Sequence, residues 1–450
     1  MAPAIDLGEL KRSVRGAIYC SADGGYDEAR QVWNAMIDRR PAGVVCAAGV
    51  ADVMATLQFA RERGVPVAIR GGGHNVAGTS VGEASIVVDL ARLKSVRVDP
   101  IHRQARAGGG SLWGEYDCET QAFGLASPGG AISTTGIAGL TLGGGYGTIS
   151  RRFGMACDNL LSADVVLASG ELVTASADSH PELFWALRGG GGNFGVVTSF
   201  EFQLYPVGEA LSGMIVFPFE MSKAVLQRFR ELSLEASDSL TLMGVIIPFP
   251  GGGRCVAAAV CDIGDVGEGQ RAARAFRELG SVLVDTVAPM SYCAMQQQFD
   301  VSYPKGQRHY WKSAFLKTLP DEVIDLAIES AGNAPSLMNV IMFEQYGGAV
   351  ARVAHDSTAF GNREALFNVS MLAISEDSAL DAEQRAWARA AWQQALPYST
   401  GGSYVNYMSE GEDVHSAYSD ARFQRLAKIK AQYDPANLFR FNHNIPPAQA

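Results

Sequence analysis

Residues 68–78, AIRGGGHNVAG, bring together the residue types best suited to chemistry in this chain. An apolar strand ending at Arg70 runs into Gly71, Gly72 and Gly73, whose missing side chains leave successive backbone N–H groups open to an anion such as a pyrophosphate. His74 then stands on a loop where no side chain crowds it, with Asn75 and Gly78 completing the turn. An imidazole placed there has a use if an electrophilic ligand lies beside it. A tight surface turn with an incidental histidine is the simpler alternative. The histidines at 102, 180, 309, 355, 415 and 443 form no HxH, HExxH or paired-cysteine spacing, so no metal site is expected.

Residues 127–147, SPGGAISTTGIAGLTLGGGYG, are too small-chained to build a strong core. The run suits the lining of a large flat group, with hydroxyls available for phosphate or carbonyl oxygens; its Ile and Leu content argues against a plain linker. Residues 190–195 formally match GxGxxG, but a helix precedes them and a strand follows, the reverse of the dinucleotide fingerprint. There is no GxxxxGK[ST] for a phosphate loop. Glu344, in MFEQYGG, is a charge on an otherwise apolar strand and is therefore a candidate for a pocket or an interface, or for an edge facing water.

The elements that must position these residues alternate early in the chain. GVVCAAG reads as a strand, ADVMATLQFARERG as a helix closed by Gly64, VPVAIR and SIVVDLARL as strands, and HRQARAGGGSLWGEYDCETQAFG as strand then helix. Before them, YDEARQVWNAMIDRR carries helical spacing. Further on, NLLSADVVLASGELVTAS predicts a hairpin turning at SGE, and SHPELFWALRGGG a helix with a serine cap and Pro and Glu in its first turn. The strand FGVVTSFEFQLYPV ends at Pro206. Beyond it, strand-rich and helix-backed segments suggest an antiparallel sheet with helices on one side. The tail has a strand-like SYVNYM, then an amphipathic helix whose Phe423, Leu426, Ile429 and Tyr433 are expected to pack back on the first domain.

With 450 residues, 47% of them hydrophobic and 19% charged, the chain has material for two or three domains and little room for disorder. A net charge of −10 with scattered Lys and Arg excludes a nucleic-acid groove and makes an anionic membrane an unsuitable partner. Seven cysteines without a CxxC pair suit free thiols in a reducing compartment, and no apolar leader or spanning run is present, so the cytoplasm is the expected address.

RGGGHNVAG, the 127–147 run, DNLLSADVVLASGE, ELFWALRGGGGNFGVVTSFEFQLYP, YVNY and the ending YDPANLFRFNHNI together resemble the FAD-linked oxidases of the berberine bridge enzyme type, in the vanillyl-alcohol-oxidase class. The resemblance implies an α+β fold. A PCMH-type split FAD-binding domain of two α/β subdomains takes residues 1–206. An antiparallel-sheet substrate domain backed by helices takes 207–403, and a C-terminal segment, 404–450, returns to the FAD-binding domain. It implies FAD joined covalently through His74 as an 8α-histidyl flavin. The thioether link that many members add would fall on Ile132, so a single bond is expected. Cofactor-binding positions carry over to Arg70, Gly71, Gly72, Gly73, Asn75, Gly78, Pro128, Gly129, Ser133, Thr134, Gly136, Gly139, Gly144, Tyr146, Gly147, Val197, Asn406, Asn442 and Asn444.

For catalysis the resemblance puts Tyr407 in the place of the base, with Tyr404 as the alternative and Glu344 as a second group for proton abstraction. A tyrosine needs help to act as a base near neutrality, and Arg308 or Lys312 is the help the sequence offers. Trp311 and Phe343 would favour an aromatic or terpenoid substrate if they line the pocket. The implied reaction is removal of a hydride from an alcohol or related C–H of a small secondary-metabolite substrate, with electrons passed to O2 to give H2O2. A flavin dehydrogenase with another acceptor, a carbohydrate hemiacetal oxidase and an FAD-binding protein without turnover remain open. The expected partners are a small molecule and O2, in a monomer or homodimer.

Overall fold

The computed structural model describes residues 5–264 and 266–449. Its first unit is a sheet in which Gly43–Cys46, Ile86–Asp89 and Val67–Arg70 run parallel, with Ile18–Tyr19 antiparallel at the edge. The strands are apolar on both faces because both are covered. Val45, Val67 and Val88 pack with Leu57 and Ala60 of the helix Val50–Arg63, while Val44, Ala68 and Val87 meet Val32 and Val81 on the other side. Gly64 closes that helix in the left-handed conformation (φ 65°), as its sequence predicts. Arg70 and Asp89 end their strands in register and form a 2.8 Å ion pair, so the Gly71–Gly73 turn leaves from a braced strand end.

The second unit is an antiparallel sheet ordered Val96–Asp99, Gln104–Gly108, Val196–Gln203, Leu160–Val166, Leu172–Ser176. The expected hairpin turns through Gly170 at φ 90°. Helix Pro181–Leu187 precedes Gly190–Gly195, and strand Val196–Gln203 follows, which confirms that this glycine cluster is no dinucleotide fingerprint. The helix cap differs from expectation. His180, not a serine, occupies the N-cap, without a side-chain capping bond, because the preceding serines turn the chain after Leu172–Ser176.

The third unit is an antiparallel sheet running Val284–Asp285, Ala210–Pro218, Arg254–Asp262, Leu240–Pro248, Val340–Gln345, Phe367–Ser375, Arg308–Leu316, with Ala288–Met290 beside Ala210–Pro218. Alternation along each strand divides its two faces. Leu240, Leu242, Ile246, Ile341, Phe343, Val369 and Met371 pack under the helices Ser222–Glu235, Asp321–Gly332 and Asp381–Ala395. Phe217, Phe229, Phe343 and Phe367 are fully buried there, each stabilising the layer by about 1.5–3 kcal/mol relative to exposure. The intervening residues point away from the helices and wall the cavity described below.

Two expected elements take other forms. Only Tyr26–Arg30 of the YDEARQVWNAMIDRR run is helical. The chain then turns extended because Trp33 and Asn34 are recruited by distant partners: Trp33 bonds Gly73 and Gly306 through its backbone, and Asn34 bonds Val76 and His309. YVNY is not a strand but a 3-10 turn, Val405–Tyr407. The Tyr404 hydroxyl accepts from the N–H groups of Gly145 and Tyr146, which holds the segment against the glycine run rather than in a ladder. The tail helix Asp420–Tyr433 buries Leu426 and Ile429 against Leu183, Phe184 and Trp185, with Phe423 and Tyr433 alongside.

Candidate active site

A cavity of about 500 Å³ opens where the three units meet. One half is backbone-lined: Gly71, Gly72, Gly73, Gly136, Gly139, Gly191, Gly192 and Gly195 contribute, with Val67, Val197, Phe439 and Asn442. Close backbone approach requires Gly72 and Gly136. A Cβ on Gly72 would lie 2.5 Å from the Gly136 nitrogen, and one on Gly136 2.4 Å from the Gly72 nitrogen. By contrast, a Cβ on Gly139 or Gly192 would meet nothing within 4 Å, so at these positions the missing side chain is open cavity.

His74 sits at the junction of the two halves. It is half-buried and open toward the cavity, and enclosure by protein pushes its pKa down to about 4, so the ring is neutral. The sequence suggests an uncrowded histidine, and the structure differs. The ring stacks on Trp33 with centroids 4.4 Å apart and planes 20° apart, and Nε2 lies 3.4 Å from the Thr134 hydroxyl.

The other half is the free face of the large sheet: Met214, Met243, Val245, Ile247, Met342, Leu372 and Ile374, closed by Phe299, Tyr303, Met338 and Trp311. Glu344 projects from this apolar wall. Its Oε1 accepts a 2.9 Å hydrogen bond from the Tyr407 hydroxyl, while Oε2 is buried without a partner among the described residues. Burial raises the Glu344 pKa to about 7, with the Tyr407 bond opposing it. Tyr407 is held well above the ordinary phenol range, first by burial and then by the Glu344 carboxylate and the phenols of Tyr404 and Tyr303. Tyr146 ties the two halves together: it stacks on Tyr346 at 3.9 Å and donates to the carbonyl of Gln345, next to Glu344.

Comparison with known proteins agrees with this geometry. A family model described as an FAD binding domain matches residues 41–176, and one described as berberine and berberine like matches 403–446. The (R)-6-hydroxynicotine oxidase of Paenarthrobacter nicotinovorans is 30% identical over 457 residues, covering 97% of each chain. The chain belongs to the berberine bridge enzyme-like family of FAD-linked oxidoreductases. The crystal structure of 6-hydroxy-D-nicotine oxidase from Arthrobacter nicotinovorans superposes with a TM-score of 0.88 at 27% identity, over 97% of this chain and 99% of that one. The BBE-like 1 protein of Physcomitrella patens shares the fold at a TM-score of 0.91 and 24% identity, over 99% and 100%. The protein is thus an FAD-dependent oxidoreductase with the PCMH-type split α/β fold and an inserted sheet-rich substrate domain.

The cavity fits the family's FAD. Its glycine-lined half offers open space at Gly139 and Gly192, and Ser80 Oγ, Asn442 Oδ1 and His443 Nε2, on residues lining the cavity, are buried without partners among the described residues. Of the positions read from the sequence, Gly71, Gly72, Gly73, His74, Asn75, Gly136, Gly139, Tyr146, Val197, Asn406, Asn442, Glu344 and Tyr407 line it. Ile132 lines it too.

Other expected positions lie outside the lining. Arg70 is spent on Asp89 and the Ala29 carbonyl. Gly78 packs on Ile37, and Gly129, next to Pro128, packs on the Trp113 ring. Ser133 donates its N–H and hydroxyl to Asp300, and the Thr134 hydroxyl faces His74. Gly144 and Gly147 let the chain pass Met155 and the Gly129 carbonyl. Asn444 faces a neighbouring groove with Arg440 and Glu412. The Tyr404 hydroxyl accepts from two backbone N–H groups and from Asn406, which turns it away from the cavity.

Three expectations about the substrate half are corrected. Arg308 pairs with Asp381 and Lys312 with Glu412, so neither cation supports Tyr407. Phe343 points into the helix-side core, on the opposite face from Glu344, whereas Trp311 does line the cavity. Sequence reasoning also passed over Trp33, the methionines of the wall and the cavity role of Gly191, Gly192 and Gly195. For the methionines the signal was present as period-two spacing on Leu240–Pro248 and Val340–Gln345; for Trp33 there was none.

Proposed function

We propose that FAD lies along the glycine-lined half of the cavity, linked through His74 alone, and that the sheet-walled half receives a small, largely apolar substrate whose C–H is oxidised. On this reading residues 1–206 and 404–450 hold the cofactor and 207–403 supply the substrate wall. The bound flavin supplies a two-electron hydride acceptor and an outlet for those electrons to O2, giving H2O2. Everything else falls to the chain.

The unpartnered Glu344 Oε2, buried at the wall beside Tyr407, is the observation that carries the proposal. A carboxyl with a pKa near 7 is matched to proton transfer at neutral pH, whereas a phenol held above its usual range is not. Glu344 therefore takes the proton from the substrate's O–H or N–H as the hydride leaves, and Tyr407 orients the carboxyl and the substrate. The expected roles of the two residues are exchanged, because the group facing the phenol is an acid and not a cation. The wall of Met, Val, Ile and Leu excludes water and offers a sugar ring few partners, which favours a compact aromatic or terpenoid alcohol or amine. The 6-hydroxynicotine for which a similar oxidase is named is of that size and polarity.

Seven free cysteines suit the reducing cytoplasm expected for this chain. A panel of aromatic and terpenoid alcohols and amines, with oligosaccharides beside them, tests the function. The expected result is flavin bleaching without air by a member of the first group and peroxide release in air. Bleaching by oligosaccharides alone would overturn the substrate reading. Fast bleaching with slow reoxidation in air would replace the oxidase with a dehydrogenase.

A further inference from the structure

His74 is one layer of a three-ring stack. Trp33 lies 4.4 Å from the His74 ring on one face and 4.0 Å from the His309 ring on the other, with interplanar angles of 20° and 21°. Trp33 is itself held at three points: its N–H donates to the carbonyl of Gly73, its carbonyl accepts from Gly306, and its indole N–H donates to the carbonyl of Tyr303. The next residue, Asn34, is buried and works in parallel. Its Nδ2 donates to the carbonyls of Val76 and His309, and its Oδ1 accepts from the His309 N–H. Two consecutive residues outside any helix or strand thus fasten both sides of the His74 loop to the strand Arg308–Leu316 of the substrate domain. The His309 ring is buried and makes no polar contact of its own, since neither ring nitrogen has a partner among the described residues.

We propose that Trp33 and Asn34 are positioning residues for flavin attachment, Trp33 by clamping the plane of the His74 ring against His309 and Asn34 by fixing the loop around it. This rests on the reading that His74 carries the flavin. Attachment forms a bond between a ring nitrogen of His74 and the 8α carbon of FAD. The 8α carbon gives up a hydrogen and the imidazole gives up its N–H hydrogen, and both, with the electron pair, end on O2 as H2O2. The only chain atom that must be placed is the imidazole nitrogen. A histidine on a glycine loop has ample freedom to miss its target, and the stack removes it at the cost of a large side chain rather than a second covalent bond. The position where relatives would place that second bond is Ile132 in this chain.

The test compares wild type, Trp33→Leu, Trp33→Phe and His309→Leu, each purified aerobically, for total flavin in the native protein and for flavin retained in the acid-precipitated pellet. Intact mass reports the same adduct. The expected result is a covalent share about tenfold lower in Trp33→Leu while flavin remains bound without a bond, and a share near wild type in Trp33→Phe, which keeps a stacking ring. A wild-type share in Trp33→Leu overturns the proposal. If Trp33→Leu does not fold, His309→Leu decides: a reduced share with flavin still bound supports the clamp, and an unchanged share overturns it. A wild-type pellet without flavin overturns the covalent reading itself, and is told apart because the parent protein then lacks the adduct as well.

Discussion

At the residue scale the chemistry turns on Glu344 and Tyr407. If the carboxyl accepts the proton, flavin reduction by substrate rises with pH through about 7, where Glu344 loses its own proton. Glu344→Gln is then expected to lower the reduction rate by about 10²–10⁴-fold and to abolish that rise, measured by anaerobic rapid mixing. Tyr407→Phe, which removes the donor to Oε1 that holds the Glu344 pKa down, is expected to lower the rate and move the rise to higher pH without abolishing it. A pH profile carried unchanged into Glu344→Gln would move the base elsewhere. That a carboxyl sits on an apolar strand was legible in MFEQYGG, because a charge there calls for a partner or a pocket. The fate of Arg308 and Lys312 was not. Their carboxylates, Asp381 and Glu412, lie far along the chain and come close only in the folded protein, Glu412 through the Ser409 bonds to Trp311, so local sequence suggested helpers where the fold holds closed ion pairs.

At the element scale the glycines divide into two kinds that a count of GG pairs does not distinguish. Gly72 and Gly136 permit backbone contact, and Gly72→Ala is expected to destabilise the fold by about 1–3 kcal/mol through overpacking, read by thermal melting. Gly139 faces open cavity, so Gly139→Val is expected to fold, with a wild-type circular dichroism spectrum, yet purify with less flavin. Full flavin content in that variant would remove the 127–147 run from the cofactor's path. Much of the order of elements was readable, because parallel strands written as unbroken Val and Ile runs and a helix stopped at Gly64 are local signals. The two misread elements share a cause. The helix expected through Trp33 and the strand expected at YVNY were overridden by partners from distant segments, namely Gly73 and His309 for the first and Gly145 and Tyr146 for the second. Likewise, the alternation of Phe343 and Glu344 marked two faces, but only the packing of helices on one of them decided which was the wall.

At the scale of the whole molecule the units are joined by polar groups that make stability depend on pH. Asp117 is buried behind the glycine run, where Gln296 reaches it while also donating to the carbonyl of Gly130. Burial raises the Asp117 pKa from 3.8 to about 8, so the folded protein keeps a proton that the unfolded chain releases. The stability this contributes is complete below 3.8 and is lost as pH rises through about 8. Asp117→Asn removes the loss, and its Tm is expected to gain on wild type across that window; a constant difference would contradict the assignment. His74, His309 and His443 work in the opposite sense. Their pKa values are lowered by burial to about 4, 3 and 4 from 6.5, so their contribution is present above 6.5 and lost as pH falls toward those values. His74 and His443 line one cofactor-sized space, and the most direct test of what fills it is the visible spectrum of the acid-precipitated protein. Flavin absorbance is expected in the wild-type pellet, with its transfer to the supernatant in His74→Ala. Flavin in the supernatant of wild type would contradict the covalent link, and a protein colourless even after incubation with FAD would contradict the assignment of the cavity.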